Sequence, residues 1–181
     1  MQAALAKKEL KIPFLLSGGV ATGAQLLAAL ALGAAGVQIG TRFNATVECS
    51  IFPDAFKSKM LMAGPRDTLV LGKPFKASSR VIRNKDAEAV KAIEHDKGKA
   101  LKFGDVGAYI KFDRLRGGVA NADPDFGVWN CGQSVALIDD IPTCKELIAR
   151  LIREAEETLS STVNPMFHTQ AQRGRIRISK L

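Results

Sequence analysis

Cysteine and histidine are scarce in this 181-residue chain. Cys49, Cys131 and Cys144 fall at no paired or metal-like spacing. That excludes a disulfide-stapled scaffold and a zinc cluster, and fits plain thiols in a reduced, cytoplasmic setting. His95 sits in the charged run Ala92-Ile-Glu-His-Asp-Lys-Gly98 and His168 follows Pro165 near the end of the chain, so both read as solvated surface residues and neither as a catalytic base. Long apolar runs are also missing: Leu26 to Gly40 is broken by glycines and suits a helix followed by a strand, which argues against a membrane span. Met1-Gln-Ala-Ala-Leu-Ala-Lys-Lys lacks the apolar stretch of a secretory signal. Aromatics are only 6% of the residues. The net charge is +8, but the basic residues are spread along the chain, and only Arg173, Arg175, Arg177 and Lys180 form a local run. Without basic clustering, aromatic interleaving or a known nucleic-acid module, the charge argues for anionic small molecules and against nucleic acid. An apolar share of 46% against 24% charged excludes wholesale disorder.

What the chain does have is glycine, at two informative turns. Ile12-Pro-Phe-Leu-Leu16 is a short apolar run fit for a strand buried on both faces, and Ser17-Gly18-Gly19 follows it. Thr22 and Gln25 form a capping-box pair that opens the apolar helix Gln25-Leu-Leu-Ala-Ala-Leu-Ala-Leu, which Gly33 and Gly36 stop. Gly36-Val-Gln-Ile-Gly40 is a second strand, delivering Gly40, Thr41 and another helix start. One glycine doublet between a strand and a helix is an ordinary turn. Two of them, in consecutive strand–helix units of an α/β fold with adjacent parallel strands, place amide-rich turns at neighbouring carboxyl ends, where a phosphate is held by main-chain N–H groups.

The segment Pro13-Phe-Leu-Leu-Ser-Gly-Gly-Val-Ala-Thr-Gly23, continued by Leu30-Ala-Leu-Gly-Ala-Ala-Gly-Val-Gln-Ile-Gly-Thr-Arg-Phe-Asn-Ala-Thr-Val-Glu-Cys49, resembles the seventh and eighth strand region of nitronate monooxygenases, formerly 2-nitropropane dioxygenases. Asp67-Thr68, Arg80-Val-Ile-Arg-Asn84, Val128-Trp-Asn-Cys-Gly-Gln133 and Leu137-Ile-Asp-Asp-Ile141 resemble later stations of the same family in the same order. The resemblance implies the C-terminal part of a TIM (β/α)8 barrel: its last two strand–helix units and a C-terminal helical and loop region. It implies an FMN-dependent monooxygenase that oxidises nitronates or nitroalkanes with O2. The positions matching the family's cofactor contacts are Gly19, Gln38, Ile39, Gly40 and Thr41, with Gly18 beside them and Gln133 near the flavin.

Length limits that expectation, because a whole barrel needs around 250 residues. The first six strand–helix units and the family's catalytic histidine, in a Gly-Gly-His setting, have no counterpart here, so no catalytic residue is assigned. Residues 1–160 are expected to form a partial FMN-binding barrel domain, and 161–181 a basic, mobile tail. The isolated chain is expected to associate, or to need a missing N-terminal half, because two strands without neighbours expose their edges. A flavin-dependent enoyl reductase-like oxidoreductase and a remnant that binds no cofactor are the alternatives.

The remaining elements follow from pattern. Pro53 to Ala63 suits a helix with one packed face, Thr68-Leu-Val-Leu71 and Arg80-Val-Ile82 suit strands, and Asp86 to Lys99 suits a helix. Lys102 to Asn130, rich in glycine and charge with no sustained period, reads as loop. A final helix beginning near Pro142 carries Leu147, Ile148, Leu151, Ile152, Ala155 and Leu159 on one stripe.

Overall fold

The computed structural model describes residues 12–167. It divides into two compact units, Met1–Gln38 with Lys145–Leu181, and Ile39–Cys144. Residues 1–11 and 168–181, including His168 and the basic run from Arg173 to Lys180, lie outside the described part.

The first unit is built on a parallel strand pair. Strand β1 (Leu15–Ser17) lies beside β2 (Gly36–Gln38) in the register Leu15 to Gly36, Leu16 to Val37 and Ser17 to Gln38. Between them runs helix α1 (Gly23–Ala31), and both of its ends are written in the sequence. At the start, the Gln25 amide donates to Thr22 Oγ1 at 3.4 Å while Gln25 Oε1 accepts from the Thr22 and Ala21 amides at 3.2 and 2.7 Å. This is the expected capping box. At the end, Gly33 takes the left-handed conformation (φ 82°), its amide donates to Leu30 O at 2.8 Å and that of Ala34 to Ala29 O at 3.1 Å. Those two bonds form a Schellman stop, which needs a residue tolerant of positive φ at that point.

Helix α7 (Cys144–Thr158) closes the unit. A Cβ at Gly23 would lie 2.4 Å from Leu151 O and 2.5 Å from Ala155 N, so α7 meets the first turn of α1 at backbone contact distance. The Gly23 amide donates to Glu154 Oε2 at 2.8 Å, setting a carboxylate on the positive end of α1. Only the row Leu147, Leu151, Ala155 of the expected stripe is buried, while Ile148, Ile152 and Leu159 are exposed. The row that meets Gly23 is the one covered. Strand β1 is likewise not buried on both faces: Leu15 is 59% exposed, and among the described residues β1 pairs with one strand.

The second unit begins with the short helix α2 (Thr41–Asn44) and continues through α3 (Asp54–Met62), hairpin strands β3 (Thr68–Leu71) and β4 (Ser79–Ile82), and α4 (Lys85–Lys97). The strands pair antiparallel, Thr68 to Ile82 through Leu71 to Ser79. Phe52, Phe56 and Trp129 cluster with ring centroids 5.2 to 5.3 Å apart, and Met60, Ile82, Cys131 and Val135 pack with them. A second cluster joins Leu69, Leu71 and Val81 of the hairpin to Val90 and Val106.

Where loop is expected, the chain forms α5 (Phe103–Ile110) and α6 (Phe112–Ala120). The glycines that read as breakers include close-approach positions. A Cβ at Gly118 would sit 2.2 Å from Phe126 O, and one at Gly127 (φ 87°) 2.6 Å from the Leu115 Cα, so the 123–127 turn lies directly on α6. Asn84 caps α4 by accepting from the Ala87 amide at 2.8 Å and donates to Pro124 O and Gly127 O at 2.9 and 2.8 Å. Asp86 takes two bonds from the Arg114 guanidinium, at 2.7 and 2.9 Å, and one from the Gly127 amide at 2.5 Å. Arg114 also stacks 3.5 Å over the Phe126 ring.

Burial opposes ionisation of Asp86, but the Arg114 and Gly127 hydrogen bonds and the Arg114 charge outweigh it and hold its carboxyl below the usual value. A lowered folded-state pKa adds stability above the ordinary carboxylate range, which is lost as pH falls through the folded value. Asp86→Asn should therefore cost about 2 kcal/mol at pH 7. In urea titrations the gap to the parent protein should close in acid; a gap independent of pH would contradict the ion-pair account.

Candidate functional site

In the first unit the expected site residues are Gly18, Gly19 and Gln38. Gly18 and Gly19 are both left-handed, with φ 83° and 79°, and no atom lies within 4 Å of where a Cβ would stand on either. Both glycines are exposed. The Gly18 amide donates to Gln38 O at 3.4 Å, a long bond that ties the turn to the end of β2. The Gly19 amide has no partner among the described residues, and open space lies over it. A backbone so shaped can be approached by an anion as no side-chain-bearing residue could be.

The amides at the N-terminus of α1 are differently placed. Those of Thr22, Gly23 and Gln25 are taken by the capping box and by Glu154. With those three amides taken, the Gly19 amide of the glycine turn is a donor that faces open space, whereas the simplest sequence picture has a helix dipole facing the ligand.

In the second unit Ile39, Gly40, Thr41 and Gln133 are the expected residues. Gly40 precedes α2 and is exposed, with nothing within 4 Å of its Cβ position; its amide has no partner among the described residues. Thr41 Oγ1 accepts the Gly132 amide at 2.9 Å, and a Cβ on Gly132 would come 3.3 Å from that hydroxyl. This bond brings the Gly132-Gln133 turn to the start of α2, uniting residues separated by 91 positions. Gln133 is exposed and opens the single-turn 3₁₀ helix Gln133–Leu137. The Thr41 hydroxyl, accepting from Gly132, keeps its own proton to donate.

The scaffold behind Thr41 is Arg42, which sequence reading passed over. Its side chain is 3% exposed; it donates to Ala45 O at 3.1 Å and Asp140 O at 3.3 Å and pairs with the Asp140 carboxylate. The signal was available as the one charged residue between Gln25 and Val47, with Asp139-Asp140 far along the chain, but no local pattern links them. Arg80 and Asn84, inside a stretch quoted for its resemblance, serve the fold: Arg80 donates to Thr68 Oγ1 at 2.9 Å, and Asn84 holds the 124–127 turn.

Groups capable of proton transfer lie elsewhere. His95 is on the exposed face of α4, 3.4 Å from Asp96. Burial pushes the Cys131 thiol up to about 12, which leaves it inert. Among the described residues no group of three His, Cys, Asp or Glu side chains could hold a metal ion. No described helix is long and apolar enough to cross a membrane.

Comparison with known proteins now joins these turns to a family. Residues 2–154 match nitronate monooxygenase. The chain belongs to the nitronate monooxygenase family. It is 28% identical to a (3aS,4S,5R,7aS)-5-hydroxy-7a-methyl-1-oxo-octahydro-1H-indene-4-carboxyl-CoA dehydrogenase of Mycobacterium tuberculosis, over 80% of this chain and 50% of that protein. It is 30% identical to a nitronate monooxygenase of Paraburkholderia phytofirmans, over 86% of this chain and 41% of that protein. The structure of FabK from Thermotoga maritima superposes with a TM-score of 0.75 at 32% identity, covering 87% of this chain and 48% of that one. The fold is thus α/β and part of a TIM barrel, in an oxidoreductase family. The chain spans about half the length of the relatives it matches.

Thr41→Val keeps the shape of the side chain and removes the acceptor for Gly132. It should cost about 1 kcal/mol in urea unfolding and release the Gly132 amide to fast hydrogen exchange. Unchanged exchange at Gly132 would show that the tie is not formed.

Proposed function

We propose that the chain is part of an FMN-dependent oxidoreductase that oxidises nitronates or nitroalkanes with O2. On this reading the residues proposed for cofactor contact are Gly18, Gly19, Gln38, Ile39, Gly40, Thr41 and Gln133. The observation that carries it is the Gly18-Gly19 turn: two successive left-handed glycines, open space above them and an unpartnered Gly19 amide. This is open backbone whose Gly19 N–H is free to donate, and it suits the oxygens of a phosphate monoester.

When bound, the flavin supplies the redox chemistry. The chain's own part is binding and orientation: main-chain N–H groups of Gly19 and Gly40 donate to anionic oxygens, and the Thr41 hydroxyl adds a donor whose position Gly132 fixes. Gln133 offers an amide with both donor and acceptor. We place the base that removes the substrate's carbon-bound proton outside the described residues, since proton abstraction needs a group within hydrogen-bond reach and His95 is a solvated side chain of α4. The net charge of +8 raises the local concentration of an anionic cofactor and an anionic nitronate. A reduced compartment suits the three free cysteines.

A second reading, an enoyl reductase-like or related flavin oxidoreductase with a different substrate, is favoured by the dehydrogenase name of the Mycobacterium tuberculosis relative. Exposed Leu15, Leu30, Leu32, Ile148 and Ile152 belong on either reading to a surface covered in the working protein by further chain or by another copy. Purified chain should self-associate with rising concentration in sedimentation.

The test is retention of FMN. Parent protein mixed with FMN and desalted should stay yellow, Gly19→Val should lose the cofactor, and His95→Ala should keep it, with circular dichroism showing both variants folded. Equal retention by Gly19→Val, or none by the parent, would overturn the assignment. Binding of a nitronate against an enoyl thioester, read from the visible spectrum of the FMN-loaded protein, separates the two substrate readings.

A further inference from the structure

The second hydrophobic cluster of the Ile39–Cys144 unit borders an open, mainly apolar cleft. A cavity of about 350 Å³ lies among the hairpin, α4 and α5, with Leu71, Phe75, Val90, Phe103, Val106 and Val128 in its walls. Small-molecule sites begin near this volume. Phe75 and Phe103, with ring centroids 6.4 Å apart, provide two aromatic rings in those walls.

One charged group lines this apolar space. The Glu94 side chain is only 4% exposed, and its two oxygens differ. Oε1 accepts the Gly72 amide at 2.5 Å. Gly72 itself is fixed, since at φ 81° its Cβ position lies 2.3 Å from Ala77 O. Oε2 is buried with no hydrogen-bond partner. Lys91 Nζ is 3.8 Å away, beyond bonding distance, and donates to Val70 O at 3.2 Å. Elsewhere on the wall, Ser79 and Asn130 satisfy each other through a bond of 2.6 Å. A buried carboxylate oxygen without a donor is costly, and an apolar cavity stays dry unless its polar groups hold water.

We infer that this cavity binds a small, mainly apolar molecule that carries one neutral hydrogen-bond donor, a hydroxyl or an N–H, and gives it to Glu94 Oε2. The charge argument selects a neutral donor. Lys91 already offsets the carboxylate, so a cationic ligand would leave a surplus positive charge, and an anionic one would face Glu94 directly. A pure hydrocarbon would fill the volume and leave Oε2 unsatisfied. None of the cavity residues belongs to the proposed cofactor contacts, so this inference stands apart from the flavin reading.

The experiment titrates the full chain, by calorimetry, with a naphthol and with the methylnaphthalene of the same substitution pattern, a methyl group there replacing a hydroxyl of similar size. The naphthol should bind at least about tenfold more tightly, as a hydrogen bond to a charged acceptor implies, and should shift the amide resonance of Gly72. Glu94→Gln keeps an acceptor for Gly72 but places an NH₂ where Oε2 stood, and should cut the preference to about threefold or less. Equal affinity for the two probes, with water alone satisfying Oε2, would overturn the inference. So would failure of the naphthol to bind the parent protein, or a preference unchanged in Glu94→Gln.

Discussion

The carboxylate of Asp86 is the point on which the second unit depends. It starts α4, receives both arms of the Arg114 guanidinium from α6, and takes the Gly127 amide from the turn between α6 and Trp129. Two residues earlier, Asn84 binds the same turn through two carbonyls. Together they convert a glycine-rich stretch into a fixed wall, against which Trp129 packs on Phe52 and Phe56 while its indole N–H reaches Pro124 O at 3.1 Å. The aromatic trio needs its polar edge satisfied as well as its rings stacked, and the turn held by Asn84 and Asp86 supplies that edge.

Local grammar was legible and long-range ties were not. The capping box of Thr22 and Gln25, the Gly33 stop, both hairpin strands and the helices after Pro53 and Asn84 all appear where propensity and spacing put them. The misreadings share a cause. Gly104, Gly107, Gly117 and Gly118 look like helix breakers when counted along the chain, yet Gly118 is the space into which the Phe126 carbonyl fits. Tertiary approach overrides propensity there. In the same way, period alone marked five apolar positions on α7 and Leu159 just beyond it, and only the neighbouring Gly23 decides which row is covered.

At the candidate site the residue types were readable and their tasks were divided unexpectedly. Glycines at strand ends pointed to amide donors, and the Gly18-Gly19 turn has the open backbone that such a role requires. The helix end beside it is already neutralised by Glu154. The bond from Gly132 to Thr41 could not be inferred from spacing, since it joins a turn to a helix start at a sequence separation of 91. Yet it explains why two short motifs far apart in the sequence occur in one chain.

The contact between Gly23 and α7 has a bearing on how the polypeptide comes to be structured. Ile39–Cys144 is one uninterrupted stretch, whereas the other unit unites segments from either side of it. During synthesis the middle stretch is complete and free to condense while α7 is still being made. The contact of α1 with Leu151, Glu154 and Ala155 forms only once α7 has emerged. Discontinuity of this kind makes closure of the unit a long-range step, since α1 and α7 meet only across the whole of the Ile39–Cys144 stretch.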